Sequence, residues 1–148
     1  MLRYEVRSAV ADPEVAWALF ARPARWSAWA PHLRGAWGLG EPEVEVGRTG
    51  AVRLLGAVPV PATITAKDDE DPARRSWSWR VGAVVDMEHV VEHDDDAITT
   101  VAVVIRAPAP VEAGLRLTYG PLVQALLGRL SRSATARPRP TGTGTPAG

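Results

Sequence analysis

Apolar and polar residues alternate from Leu2 to Val10, the period-two pattern of a strand with one buried face. The motif Asp12-Pro13-Glu14 follows and predicts a helix start, because its aspartate can accept hydrogen bonds from free amides and its proline has no N–H to satisfy. Pro23 should end this helix. Trp26 and Trp29 are three residues apart, so we expect them on one face of a second short helix.

Six more strand-like segments follow, separated by turns that contain glycine, proline or aspartate. They are predicted at 32–37, 49–55, 60–67, 75–81, 84–93 and 98–106. In the clearest of them, Trp77, Trp79 and Val81 alternate with polar residues, so one face of the predicted sheet is strongly apolar.

The turns of this predicted sheet differ in charge between its two ends. Successive turns of an antiparallel meander alternate between the ends. The acidic turns at 68–72 and 94–96 therefore share one end, called here the acidic end. The turns at 56–59 and 82–84 carry almost no charge and share the opposite, charge-poor end.

The charge-poor end is expected to be the mouth of a cavity or a docking surface. The alternative is that the chain's own helices cover it. Solvent exposure of Val58 and Val84 distinguishes these possibilities, since both should be covered in the second case.

A helical pattern occupies the last part of the chain, from Leu115 to Ala134. Apolar residues recur there at 115, 119, 122, 126 and 130, with 123 and 127 alongside. Gly120-Pro121 lies inside the pattern, so the helix should begin or kink there. A curved antiparallel sheet that grips this helix over an apolar interior is the simplest arrangement.

Composition excludes several functions. Seventeen basic and seventeen acidic residues cancel, so we expect no nucleic acid as partner. The sequence has no cysteine, which excludes disulfides and thiolate chemistry. No histidine or carboxylate cluster has metal-ligand spacing, and no phosphate-loop or Gly-x-Ser-x-Gly motif is present, so neither metal nor cofactor is expected.

The chain length of 148 residues suits one domain. We predict this domain at 1–136 and a disordered tail at 137–148, which has no apolar anchor. The N-terminus lacks an uninterrupted apolar run, and no stretch reaches the roughly twenty apolar residues of a membrane span. A cytoplasmic protein is therefore expected, and the single lysine with abundant Ala, Gly and Pro indicates a GC-rich bacterial genome.

The order of one strand, two short helices, six strands and a final helix resembles the helix-grip fold of the START, Bet v 1 and polyketide cyclase/dehydrase superfamily. Residues 1 to about 135 are similar to bacterial members, most clearly at Asp12-Pro13-Glu14-Val15-Ala16-Trp17, Trp26-Ser27-Ala28-Trp29-Ala30-Pro31, Ser76-Trp77-Ser78-Trp79-Arg80, Glu88-His89-Val90-Val91-Glu92 and Tyr119-Gly120-Pro121-Leu122. The resemblance implies an α+β fold, in which a seven-stranded curved antiparallel sheet holds a long C-terminal helix. It also implies an enclosed cavity for lipids, polyketides or other hydrophobic molecules. It does not fix an activity, because catalytic and non-catalytic members share the fold.

Residues on the apolar faces of the sheet and the last helix are the candidates for contact with such a molecule. The predicted set is Trp29, His32, Leu54, Trp77, Trp79, Met87, Val91, Val101, Val103, Leu115, Leu122, Val123 and Leu126. Core packing is the alternative explanation for the tryptophans. Arg53 and Arg80 should face outward, although a register shift of one residue would turn Arg53 inward, where it could bind a carboxylate.

His89 and Tyr119 are the candidate catalytic residues. His89 could act as an acid or base among aromatic and aliphatic neighbours, and a histidine that only satisfies a hydrogen bond in the core is the alternative. Tyr119 could offer its hydroxyl to a ligand carbonyl, or it could simply pack in the core. His32 near the expected mouth could also be an ordinary exposed loop residue.

Three functions remain open from the sequence. The first is a protein that binds a cyclic or polyketide-like hydrophobic molecule and acts as a cyclase or dehydratase, largely by positioning its substrate. The second is a carrier or sensor with the same cavity and no turnover. The third is an interaction module that binds a macromolecule through the charge-poor end. The oligomeric state is left open between monomer and homodimer.

Overall fold

The computed structural model of the chain describes residues 1–54 and 59–135. The predicted tail at 137–148, Val58 of the charge-poor end and the side chain of Leu54 lie outside the described part. Within that part, no helix has the length and apolar character needed to cross a membrane.

The described residues form seven strands and four helices. In chain order these are β1 (Leu2–Ser8), α1 (Pro13–Ala21), a 3₁₀ turn (Pro23–Arg25), α2 (Trp26–Trp29), β2 (Leu33–Trp37), β3 (Thr49–Leu54), β4 (Val60–Asp68), β5 (Arg74–Val81), β6 (Val85–His93), β7 (Thr99–Arg106), α3 (Ala109–Thr118) and α4 (Gly120–Ser133). The strand predictions are confirmed, with boundaries that differ by one or two residues.

The strands form one antiparallel sheet in the order β1-β7-β6-β5-β4-β3-β2. Strands β2 to β7 are a meander, as predicted, and β1 is added beside β7. In this register Trp77 pairs with His89, and His89 pairs with Val103 on its other side. These three side chains therefore point to the same, concave face of the sheet.

The start of α1 follows the sequence prediction. The Asp12 carboxylate accepts a hydrogen bond from the Glu14 amide at 2.9 Å, and Pro13 occupies the first turn. Arg75 of β5 donates two hydrogen bonds of 2.9 Å to the Glu14 carboxylate. This pair joins the start of α1 to the acidic end of the sheet.

The C-terminal segment consists of two helices that meet at Gly120-Pro121, where the sequence predicts that the last helix begins or kinks. Helix α3 begins earlier, at Ala109, and α4 begins at Gly120. Pro121 has no amide N–H for the carbonyl four residues before it, and its ring clashes with that carbonyl. The hydrogen-bond ladder is therefore interrupted at Pro121, which occupies the first turn of α4, and the two helices meet at Tyr119.

Helix α4 packs against the concave face through Val123, Leu126, Leu127 and Leu130, which are all buried. Leu122 was predicted on this face but is 40% exposed. It lies about 100° around the helix from Val123, because each residue advances by that angle, and this rotation carries it away from the sheet.

Two contacts fix α4 at the β1 edge. Gln124 donates from its side-chain amide to the Glu5 carbonyl at 2.9 Å, and the Asp12 amide donates to the Ala134 carbonyl at 2.9 Å. The first bond satisfies a carbonyl that an edge strand would otherwise expose. The second joins the end of α4 to the start of α1.

The convex face has no helical layer in the described part of the chain, yet Val90, Ala102 and Val104 are buried there. Arginine and glutamate side chains cover them. The Glu92 carboxylate lies 3.7 Å from Arg3 and 3.4 Å from Arg74. The stems of these long side chains shield apolar residues while their charged ends stay in water.

We predict that Leu130→Ala lowers the free energy of unfolding by about 2–5 kcal/mol, because it leaves a cavity in the core. The matched substitution Leu122→Ala should cost less than about 1 kcal/mol, because this side chain is partly in solvent already. Urea denaturation of both variants measures the difference. Equal losses would mean that α4 presents a different face to the sheet.

Candidate functional site

The site begins with two hydrogen bonds at the end of α1. The indole N–H of Trp26 donates to the Phe20 carbonyl at 2.8 Å, and that of Trp29 donates to the Leu19 carbonyl at 2.9 Å. The last carbonyls of a helix lack partners within it, so the spacing of the two tryptophans supplies donors where they are needed. Both indoles are thereby fixed beneath the sheet.

An aromatic cluster fills the middle of the concave face; it consists of Phe20, Trp26, Trp29, Trp77, Trp79 and His89. Trp26 stacks on Trp77 with ring centroids 5.7 Å apart, and Trp77 stacks on His89 at 4.0 Å. Trp79 stands nearly perpendicular to all three rings. Offset-stacked and edge-on contacts of this kind stabilise beyond the area that they bury.

The cluster separates a solid half of the interior from a hollow half. Toward the acidic end the core is filled, and Val91 and Val101 are buried there. The sequence predicts that both valines and Trp77 contact a ligand, but none of them lines the hollow half. Trp77 is enclosed between Trp26 and His89, and the two valines lie beyond the cluster. Leu122, also expected there, faces outward.

The hollow half is a cavity of about 280 Å³ between the sheet, α2, α3 and α4. No aspartate, glutamate, lysine or arginine is among its described lining residues. Ten of the predicted ligand-contact or catalytic residues line it, namely Trp29, His32, Trp79, Met87, His89, Val103, Leu115, Tyr119, Val123 and Leu126. The remaining prediction, Leu54, has a side chain outside the described part.

Eight lining residues were not predicted: Ala30, Leu33, Val52, Val60, Val81, Val85, Ile105 and Leu127. The sequence contains a pattern that predicts some of them. Val81 and Ile105 continue the alternation of predicted inward residues, and Leu127 lies one helical turn after Val123. Val60 and Val85 begin their strands, where the alternating pattern is too short to assign a face.

The cavity lies toward the charge-poor end. Its partly exposed lining residues lie there, among them Leu33 at the start of β2 and Val81 at the end of β5. Val84 in the neighbouring turn is 49% exposed, so the N-terminal helices do not cover it. Arg53 and Arg80 face outward as predicted; Arg53 lies over the Trp37 ring, and Arg80 binds Asp86 at 2.9 Å.

His89 is the most deeply buried polar group of the cavity wall. Its Nδ1 atom has no hydrogen-bond partner among the described residues. Burial lowers the pKa of His89 to about 3, and the nearby Trp77 backbone opposes this shift only in part. The imidazole is therefore neutral at physiological pH, which argues against a role as a strong acid or base.

Two further polar groups lie closer to the charge-poor end. Burial raises the pKa of Tyr119, so its hydroxyl stays protonated and can donate a hydrogen bond. Burial also lowers the pKa of His32, which is half-buried and lines the cavity. The three titratable groups among the described lining residues are thus neutral near pH 7. Residues 1–54 and 59–135 contain no cluster of three or more histidines and carboxylates that could hold a metal ion.

The fold is similar to that of several solved structures. A hypothetical protein of Helicobacter pylori matches with a TM-score of 0.72 and 15% identity, over 89% of this chain and 86% of that one. DynU16, from the dynemicin biosynthetic locus, matches with a TM-score of 0.59 and 21% identity over 88% of this chain. This chain spans just under half of DynU16, 45%.

The Bet v 1-like fold is represented by Ara h 8.0201, with a TM-score of 0.54 and 16% identity, over 87% of this chain and 95% of that one. Identities this low establish the fold alone.

No curated protein matches the sequence. Residues 2–136 match the family described as polyketide cyclase / dehydrase and lipid transport. With a match over nearly the whole chain, a helix-grip fold and a cavity without charged side chains, this protein belongs to the polyketide cyclase/dehydrase and lipid-transport family.

Proposed function

We propose that the protein binds a neutral hydrophobic small molecule, cyclic or polyketide-like, in the cavity between the sheet and helices α3 and α4. The main support for this proposal is the cavity itself, which measures about 280 Å³ and has no charged side chain among its described lining residues. A charged ligand would lose its hydration there without gaining an ion pair, which is strongly unfavourable. A neutral apolar ligand gains free energy from the same transfer.

The volume limits the size of the ligand. Pockets for small molecules usually measure about 300–1,000 Å³, so this cavity is at the lower limit. At the packing density of a protein interior, a space of 280 Å³ holds roughly 210 Å³ of ligand. That is about the size of two or three fused six-membered rings. We propose that such a molecule enters at the charge-poor end, where the lining residues are partly exposed.

The neutral polar groups would orient the ligand. The Tyr119 hydroxyl can donate to a ligand carbonyl or hydroxyl, and the His89 ring can provide one further hydrogen bond. Apart from His32 and the Trp79 indole N–H, the remaining described lining is apolar and determines the shape of the cavity. Such a division between apolar walls and a few convergent polar groups is typical of small-molecule sites.

A cyclase or dehydratase is the second candidate, and the family description together with the position of His89 and Tyr119 on the cavity wall favours it. A base with a pKa of about 3 is weak near pH 7, so positioning would supply most of the rate. Incubation with a linear polyketide, followed by mass spectrometry, separates the candidates. An enzyme returns a cyclised or dehydrated product, and a carrier returns the molecule unchanged.

We predict that Val123→Phe weakens binding of the neutral dye N-phenyl-1-naphthylamine by about tenfold or more, because the larger ring occupies the cavity. Leu122→Phe adds a similar group at the adjacent but exposed position and should leave dye binding unchanged. Fluorescence titration measures both. Equal affinity in the two variants would place the bound dye outside the cavity.

We predict that Tyr119→Phe weakens 2-naphthol binding by about three- to tenfold, the usual effect of one hydrogen bond. Naphthalene, which lacks the hydroxyl, should bind the wild type and this variant equally. Calorimetry for 2-naphthol and fluorescence for naphthalene provide the comparison. If Tyr119→Phe weakens the binding of both compounds by the same factor, the tyrosine contributes only packing.

We predict that stability falls as the pH falls below about 6.5, and that His89→Gln reduces this dependence. The unfolded histidine binds its proton near pH 6.5, whereas the folded one does so only near 3. Between these values the unfolded state binds more protons, so the free energy of unfolding decreases by up to about 1.4 kcal/mol per pH unit.

Urea denaturation at about pH 5 and pH 7 measures this dependence. His93→Gln is the control, because His93 bonds Thr99 at the other end of β6. His89→Phe is a second variant that keeps a flat ring on Trp77. An unchanged slope in both His89 variants would show that this imidazole titrates normally in the folded protein.

A further inference from the structure

A second cavity lies outside the sheet, and the proposed function does not use it. It measures about 870 Å³ and shares no residue with the inner cavity. One wall is the turn at 22–25, and the other is the loop at 36–42 together with Glu45 and Arg48. We call this space the outer groove.

The loop that forms one wall has a defined conformation. Leu39 and Val44 anchor it in the core with exposures of 2% and 0%, and the Val44 amide donates to the Ala21 carbonyl at 2.9 Å. Gly40 has φ +117°, and a Cβ there would lie 2.5 Å from the Glu43 carbonyl oxygen. Only glycine fits this position. The groove is therefore formed before any ligand arrives.

Three arginines and two glutamates, Glu41 and Glu45, line the groove, so its lining carries a net charge of +1. Arg48 is paired with Glu45 at 2.8 Å, whereas neither Arg22 nor Arg25 has a carboxylate partner among the described residues. The Nε atom of Arg22 is shielded from solvent and has no hydrogen-bond partner among the described residues, and Arg22 lines the groove beside Arg25. A guanidinium group loses hydration on burial and regains the energy only through an anionic or other accepting partner.

An aromatic surface adjoins these arginines. Trp37, at the end of the edge strand β2, lines the groove and is 47% exposed. Arg53 lies 5.9 Å from its ring centroid and adds positive charge beside the groove. A large exposed indole among cations suits a ligand that is itself both aromatic and negatively charged.

We propose that the outer groove is a second ligand site, which binds a small aromatic anion through its carboxylate or phosphate group. The anionic group binds Arg22 and Arg25, and the ring packs on Trp37. This ligand differs from the neutral one proposed for the inner cavity, because arginines line the outer groove and no described charged residue lines the inner cavity. The protein can therefore hold both at once.

Titration of ¹⁵N-labelled protein with phenyl phosphate, benzoate and inorganic phosphate, followed by NMR, tests the site. We expect saturable shifts of the Trp37 indole and Arg22 Nε–H signals with an aromatic anion, and weaker binding of inorganic phosphate. Comparison of phenyl phosphate with benzoate identifies the preferred anionic group. Arg22→Gln and Arg25→Gln should each weaken binding by about tenfold.

Arg132→Gln, which removes an exposed arginine of α4, is the control and should leave the affinity unchanged. N-phenyl-1-naphthylamine binding should be the same in all three variants, which shows that the fold and inner cavity are intact. The proposal is wrong if neither aromatic anion gives saturable shifts, if Arg132→Gln weakens binding as much, or if the anions displace the dye.

Discussion

Two indole hydrogen bonds, from Trp26 and Trp29 to the last carbonyls of α1, constrain the whole interior. The two bonds supply donors that these carbonyls need, and they hold the short helix α2 against the end of α1, beneath the sheet. Its position brings Trp26 onto Trp77, and Trp77 in turn onto His89. The aromatic cluster that results fills the middle of the concave face, so α4 can close the acidic half completely and leave the other half hollow.

The electrostatics of the cavity follow from this packing. His89 is surrounded by rings and has no ion-pair partner in the described part of the chain, so burial keeps it neutral and it adds polarity without charge. The described charged residues lie on the convex face, at the acidic end, around the outer groove and on the helices, and none of them lines the cavity. A hollow without charged walls and a cationic groove outside it give one small domain two different chemical environments. Family membership agrees with the first of these and does not address the second.

Much of this architecture is predictable from the sequence. Alternation identified the strands within one or two residues, and the capping motif at Asp12 located α1. The break at Tyr119 was less clear, because apolar spacing continues across it and only Pro121 indicates the interruption. The prediction for Leu122 was wrong because apolar spacing of three and four residues is compatible with two adjacent faces of the helix. Packing against the sheet determines which of the two is buried.

The sequence predicts which face of the sheet carries the site residues. It does not predict which residues along each strand reach the cavity. Trp77, Val91 and Val101 point to the same side of the sheet as Trp79 and Met87, and period-two alternation cannot distinguish them. What separates them is their distance along the strand from the aromatic cluster, which depends on the helices packed below. The outer groove gave no periodic signal, because it is formed by a loop whose shape depends on glycine conformations and on the burial of Leu39 and Val44.

The cluster also separates the positions that preserve the fold from those that shape the binding space. Truncation among its stacked rings removes contacts on every side, whereas Val60, Val81, Val85 and Leu115 line the hollow with one side already free. A mutant library confined to these four positions would vary the size and shape of accepted molecules at small thermodynamic cost. Such a scaffold is well suited to acquiring new specificities by few substitutions.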